Sequence, residues 1–146
     1  MTNKLNPQIV VYALEDANGA LEAAIRLNIS VTLVSPNNAV AYAGPAWFRE
    51  LISQAHNSFP EASFNSILDC SAEAGHALSA IREGVKAICY SGSETLNNKI
   101  TEIASQAGCK IIKIDYEKAL DLSKHKDKAS ISVSYTHLTL PTIYSV

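Results

Sequence analysis

Three side chains of different chemistry follow one β-rich segment of this sequence. The run Phe64–Leu68 leads directly into Asp69, Cys70 and Ser71, which are a carboxylate, a thiol and a hydroxyl. In parallel α/β sheets, ligands bind beyond the carboxyl ends of the strands. A thiol beside a helix N-terminus also has a lowered pKa, which makes it reactive. We therefore take Asp69 and Cys70 as the candidate catalytic residues, although the sequence contains no complete catalytic set and whether the protein is an enzyme stays open.

A second group of polar residues suggests a binding site for an anion. Ser91, Gly92 and Ser93 precede a helix, and backbone N–H groups and hydroxyls at a helix N-terminus bind phosphate well. Ser35 follows another strand, and Tyr42 lies in the next loop, from which it could reach over the edge of a sheet. These residues predict a small anionic metabolite, phosphate or a sugar phosphate, as the ligand.

Each of these residues also has a simpler explanation. Asp69 or Ser71 could cap the helix that follows, since both residue types are favoured N-caps. Cys70 is also typical of a buried structural cysteine. Ordinary helix capping would account for Ser91–Ser93 as well. Both kinds of interpretation stay open at the level of the sequence.

The elements that must position these residues alternate regularly between strand and helix. Apolar runs without alternation are typical of strands covered on both faces. The predicted strands are Gln8–Leu14, Ser30–Val34, Ser63–Leu68, Ala87–Tyr90 and Lys110–Ile114, and the predicted helices are Ala17–Leu27, Pro45–Ser58, Ala72–Glu83, Glu94–Ala107 and Tyr116–Leu122. Five such units predict a three-layer α/β/α domain with a five-stranded, mostly parallel sheet, Rossmann-like or flavodoxin-like, whose strand order the pattern does not give.

Composition excludes several classes of protein. The 146 residues carry a formal net charge of −2 and no basic stripe, which argues against nucleic acid as a partner. No apolar run is long enough for a membrane helix, and the N-terminus lacks the apolar core of a signal peptide. We expect a cytoplasmic protein that holds its 3 cysteines as reduced thiols. No metal or cofactor is expected, and homo-oligomerisation stays open.

The end of the chain departs from this pattern. Residues from about 130 onward, including Ser134-Tyr135-Thr136-His137-Leu138, resemble translated sequencing-adapter read-through. We therefore expect one α/β domain over residues 1–128 and a non-native tail over residues 129–146, with the native C-terminus missing. A strand-prone extension is the alternative, because Thr, Tyr, Val and Ile favour strands.

From Ala20 to about Ile114 the chain resembles the front half of class II fructose- and tagatose-bisphosphate aldolases. The resemblance lies in Tyr42-Ala43-Gly44, Leu68-Asp69, the segment from Ile81 to Ile88 and Ser91-Gly92-Ser93, which follow the family's order. It implies a zinc-dependent (β/α)8 barrel in which the residue at Asp69 transfers a proton. The residue after it would be a zinc-binding His, but here it is Cys70.

The resemblance covers only part of such a protein. A complete barrel has roughly 250 residues, so this chain would be a partial TIM barrel. His56, His76 and His125 match none of the family's other zinc ligands. We favour an open-sheet domain that binds an anionic metabolite and lacks the complete aldolase machinery. The alternatives are a truncated metal-dependent ketose-bisphosphate aldolase and a non-catalytic interaction or regulatory module.

Overall fold

A computed structural model describes residues 6–121, except for the side chain of Tyr42. The predicted tail over residues 129–146 lies outside these residues. The strands are β1 Gln8–Val10, β2 Val31–Val34, β3 Phe64–Asp69, β4 Ala87–Cys89, β5 Lys110–Ile111 and β6 Leu120–Asp121. The helices are α1 Leu14–Leu27, α2 Ala39–Tyr42, α3 Pro45–Ser58, α4 Ala74–Arg82 and α5 Glu94–Ala107.

The helix boundaries follow from local sequence signals. Pro45 is the first residue of α3, where its missing N–H costs nothing. Asn28 and Gly108 end α1 and α5 in the left-handed conformation, as is common at helix C-termini. Asp16 was predicted to be the N-cap of α1, but the helix begins at Leu14, three residues before the predicted start at Ala17, and Asp16 lies in its first turn. Its carboxylate instead accepts hydrogen bonds from the backbone N–H groups of Tyr12 and Ala13.

The sheet confirms the predicted α/β class and has six strands within residues 6–121 rather than the predicted five. All neighbouring strands are parallel, in the order β5-β4-β3-β2-β1-β6. Residues 116–122 were predicted to be a helix, but Leu120 and Asp121 pair with Ile9 and Val10 instead. The apolar Leu120 beside β1 stabilises the strand there, an interaction that local helix propensity does not encode.

The two faces of the sheet are covered differently. Side chains alternate along each strand, so Ile9, Leu33, Leu68 and Ile88 face one way and Val10, Val34, Ile67 and Ala87 the other. The first set packs with the buried residues of the four long helices. The second set packs against Ile114, Tyr116 and Ala119 of the segment that joins β5 to β6. We call residues 112–119 the return segment.

Polar contacts attach the return segment to the sheet. The Gln8 side chain donates to the Lys113 carbonyl at 3.3 Å and accepts from the Asp115 N–H at 2.9 Å. The Tyr116 hydroxyl donates to the Ser35 carbonyl at 2.7 Å. The chain thereby crosses from the β5 edge to the far side of β1. Strands β2 to β5 follow one another on one side of β1, whereas β6 lies on its other side, so the direction in which strands are added reverses at β1. Such reversals are where open α/β sheets form ligand crevices.

Candidate functional site

The carboxylate of Asp69 is the centre of a hydrogen-bonded cluster at the carboxyl ends of β2, β3 and β4. Its Oδ2 accepts from the Asn38 N–H at 2.6 Å and from the Ser71 hydroxyl at 3.0 Å. The Asp69 N–H donates to Ser35 Oγ at 2.8 Å. Asp69 is only 4% exposed, so these donors replace the water that a buried carboxylate loses. The structure thus brings together Ser35 and Asp69, two of the predicted site residues, with Ser71 beside them.

Asp69 does not cap the following helix, and neither does Ser71. Helix α4 begins at Ala74 with Glu73 as its N-cap, and no side chain accepts a capping hydrogen bond there. The capping explanation is therefore wrong for both residues. Asp69 instead connects the loop after β2 to the loop after β3.

Two of the donors to Asp69 come from residues with unusual backbones. Asn38 and Ser71 have φ values of 58° and 52°, in the left-handed region. Residues other than glycine adopt this backbone conformation at a cost of about 1 kcal/mol or more. Both residues present their donors to Asp69 from this conformation, so the carboxylate offsets the backbone strain on either side of it.

Cys70 points away from this cluster. It is fully buried in the core on the helix-covered face, where its thiol lies 3.9 Å from the Leu68 carbonyl. Burial, with a further contribution from the Asp69 carboxylate, raises the pKa of Cys70 to about 12. The thiol is therefore protonated at neutral pH, which is typical of a structural cysteine and unlike a reactive one.

Cys89 and Tyr116 complete the surroundings of Asp69. Burial raises the pKa of Cys89, and the nearby Asp69 carboxylate raises it further. Burial and the charge of Asp69 also raise the pKa of Tyr116 well above its usual value. Both groups therefore stay neutral at physiological pH.

The other predicted binding residues lie at the same edge but not in this cluster. The Ser91 N–H donates to the Ser71 carbonyl at 2.8 Å, which places the loop after β4 beside the loop after β3. Ser93 is the N-cap of α5, and its Oγ accepts from the Leu96 N–H at 3.3 Å. Tyr42 is the last residue of α2, and its side chain lies outside the described part of the structure.

A cavity of about 440 Å³ opens where the strand order reverses. Its walls come from the ends of β1 and β6, the loop after β2 and the return segment. The described residues that line it are Val10, Tyr12, Pro36, Asn37, Tyr116, Glu117, Ala119, Leu120 and Asp121. The volume is within the range of small-molecule sites.

The polar lining of the cavity includes two acidic residues. Glu117 and Asp121 contribute carboxylates, and Asn37 contributes an amide. Tyr12 donates its hydroxyl to Asp121 Oδ2 at 3.0 Å across the junction of β1 and β6. Carboxylates accept hydrogen bonds from hydroxyl or ammonium groups and repel anions. Glu117 therefore gives the lining an acceptor suited to a hydroxyl or ammonium group.

The residues present do not fit the zinc site that the aldolase resemblance implies. Cys70, in the place of the zinc-binding His, lies in the helix-covered core, whereas Asp69 alternates with Leu68 and belongs to the opposite face. Across residues 6–121, no three His, Cys, Asp or Glu side chains are grouped closely enough to hold a metal ion.

Sequence reasoning missed several residues of this edge. The predicted helix over residues 116–122 hid Tyr116, Glu117 and Asp121, which reach the cavity only because the chain returns to β1. Asn38 contributes its backbone N–H, for which the sequence gives only the weak signal that asparagine tolerates positive φ.

Comparison with known proteins does not assign the chain to a family. No protein-family profile matches it, and a search of curated proteins finds no significant match. None of the helices over residues 6–121 combines the length and hydropathy needed to span a membrane.

Proposed function

We propose that this protein binds a small, hydroxyl- or amine-bearing metabolite in the cavity at the junction of β1, β2 and β6. One observation supports this proposal above the others: the cavity lies at the carboxyl ends of the strands where the strand order reverses. Polar groups from three separate segments converge on it. The proposal keeps the predicted small-molecule ligand and sheet edge, and the carboxylates change the favoured ligand from anionic to neutral or cationic.

Asp69 supports the cavity without lining it. Its bonds with Asn38 and Ser35 fix the loop that carries Asn37, and the Tyr116 hydroxyl donates to the Ser35 carbonyl in the same loop. The loop after β2 is therefore held from both sides. A preformed wall lowers the conformational cost of binding.

A binding panel tests the proposal. Isothermal titration calorimetry would compare neutral sugars and polyols, polyamines, and the corresponding sugar phosphates. We expect binding within the first two groups and weaker binding of each sugar phosphate than of its parent sugar. Tighter binding of the sugar phosphates would instead support the anionic ligand predicted from the sequence. Binding of none of the three groups would refute the proposal.

A pair of variants connects any observed binding to the cavity. Glu117→Gln removes a lining charge, and Glu102→Gln makes the same change on the exposed surface of α5. Gln still accepts a hydrogen bond but without the charge, which costs about 1.5 kcal/mol, so Glu117→Gln should weaken binding of the best ligand roughly tenfold. Glu102→Gln should leave it unchanged. Equal affinities of both variants would exclude Glu117 from the site.

A further inference from the structure

The return segment and β6 together form more than half of the described lining of the cavity. The return segment contributes Tyr116, Glu117 and Ala119, and β6 contributes Leu120 and Asp121. The remaining lining residues belong to β1 and to the loops after β1 and β2. A movement of residues 112–121 away from β1 would therefore open the cavity along most of its wall.

The main core of the domain is packed without this part of the chain. Every buried residue described in the helix-covered core lies between Ile9 and Cys109. Residues 112–121 are all exposed or only partly buried, including Leu120, which packs against that core. Segments with few buried apolar contacts open at a lower free-energy cost than the core. Residues 112–121 can therefore leave the sheet while the helices and β1 to β5 stay folded.

The return segment also has hydrogen bonds of its own. Asp115 Oδ1 accepts from the N–H groups of Glu117 and Lys118 at 3.2 and 3.4 Å. The Asp115 carbonyl accepts from the N–H groups of Lys118 and Ala119 at 3.2 and 3.0 Å. This turn leads directly into β6. Because these bonds lie within the segment, they persist when it leaves the sheet, so the turn and β6 move together.

Gln8 of β1 holds the segment at its other end. Its side-chain amide bonds to the backbone of Lys113 and Asp115, and both bonds are exposed. Exposed hydrogen bonds contribute little net stability, because water replaces them when they break. Just before this point, the Ile112 N–H still donates to the Ile88 carbonyl of β4. The fixed part of the chain thus ends at Ile112.

We propose that the return segment and β6 open and close over the cavity as one unit, with a hinge after Ile112 and with Gln8 holding the closed form. The structure shows the closed form. Opening admits a ligand, and closure completes the cavity around it. The ligand rests on the function proposed above, whereas the opening depends only on contacts within the chain.

Hydrogen exchange of the full chain, resolved by residue with NMR, tests the opening without a ligand. In wild type, the amides of Asp115, Ala119 and the β1–β6 junction should exchange through one common opening, well before the buried Ile100 of α5. Gln8→Ala should speed exchange at all these amides roughly fivefold, because two exposed hydrogen bonds are lost, and leave Ile100 unchanged. Gln54→Ala, on the exposed surface of α3, is the matched control and should change none of them.

Two results of this experiment would overturn the proposal. Acceleration confined to Asp115 in Gln8→Ala would show that the segment does not move as a unit. Exchange of the β1–β6 junction only together with Ile100 would show that the segment opens only when the whole domain unfolds.

A second measurement tests the role of the opening in binding. Wild-type exchange would be repeated with the tightest-binding sugar or polyamine of the calorimetric panel at about ten times its Kd, which should slow the common opening about elevenfold. An unchanged rate would exclude the segment as the entrance. If no compound of the panel binds, the proposed function fails, while exchange without a ligand still decides whether the segment opens.

Discussion

Replacement of Asp69 by alanine tests the cluster that shapes the loop after β2. The change leaves the Asn38 N–H and the Ser71 hydroxyl without their acceptor, and each bond to a charged group contributes about 1.5–3 kcal/mol. Both bonds are only partly buried, so water can hydrogen-bond to the freed donors and recover part of this energy. The variant also avoids the cost of desolvating the Asp69 carboxylate. We expect a net loss of about 2–3 kcal/mol in the free energy of unfolding.

Urea unfolding followed by circular dichroism measures this loss. With a slope of about 1–3 kcal/mol per molar urea, the midpoint should fall by roughly 1–2 M. Asp16→Ala is the matched control, because the Asp16 carboxylate also accepts two hydrogen bonds, from the Tyr12 and Ala13 N–H groups at the exposed start of α1. It should cost only about 1 kcal/mol, since water reaches those donors. Equal losses in both variants would refute the special role of Asp69.

Three further predictions concern other parts of the fold. Because folding raises the pKa of Cys70 from 9.0 to about 12, the contribution of its protonated thiol to stability should be complete below pH 9 and fall between pH 9 and 12. The urea midpoint should therefore decline more steeply with pH in wild type than in Cys70→Ala, and parallel declines would contradict the assignment. Gly108→Ala should lower stability by about 1 kcal/mol because Gly108 has a φ of 78°, whereas Gly19→Ala within α1 should raise it by about 0.5–1 kcal/mol because alanine favours the helix. Thermal unfolding measures both, and a loss of stability in both variants would contradict this prediction. Tyr116→Phe removes the donor to the Ser35 carbonyl and should cost about 1 kcal/mol in urea unfolding, and an unchanged midpoint would show that this bond does not secure the return segment.

Most of the secondary structure could be predicted from local signals. The bounds of α3 and α5 agree with prediction because Pro45, Ser93 and Gly108 are strong start and stop signals. The strands β1 and β5 are shorter than predicted, although the N–H groups of Val11 and Ile112 still donate to the neighbouring strands β2 and β4. Tyr42 was predicted to lie in a loop, but it is the last residue of the single-turn helix α2.

The arrangement around Asp69 could be predicted only in part. Residues at the ends of neighbouring parallel strands must lie near one another, and Ser35 does lie beside Asp69, whereas Cys70 turns into the core. The cavity could not be anticipated, because it depends on Leu120 and Asp121 pairing with a strand about 110 residues earlier in the chain. Local propensity contains no information about a partner so distant in sequence.

The position of β6 has a consequence for folding. Each of β2 to β5 adds beside the strand synthesised just before it, so this part of the sheet can grow in step with translation. The edge of β1 that pairs with β6 must wait until residues 120–121 emerge, and the contacts of β6 span nearly the whole described chain. Long-range pairings form slowly, because the loop-closure entropy is lost before they form. We therefore expect a nascent chain that ends before residue 120 to expose one side of its first strand to other chains, and completion of the sheet to be the latest step in assembly.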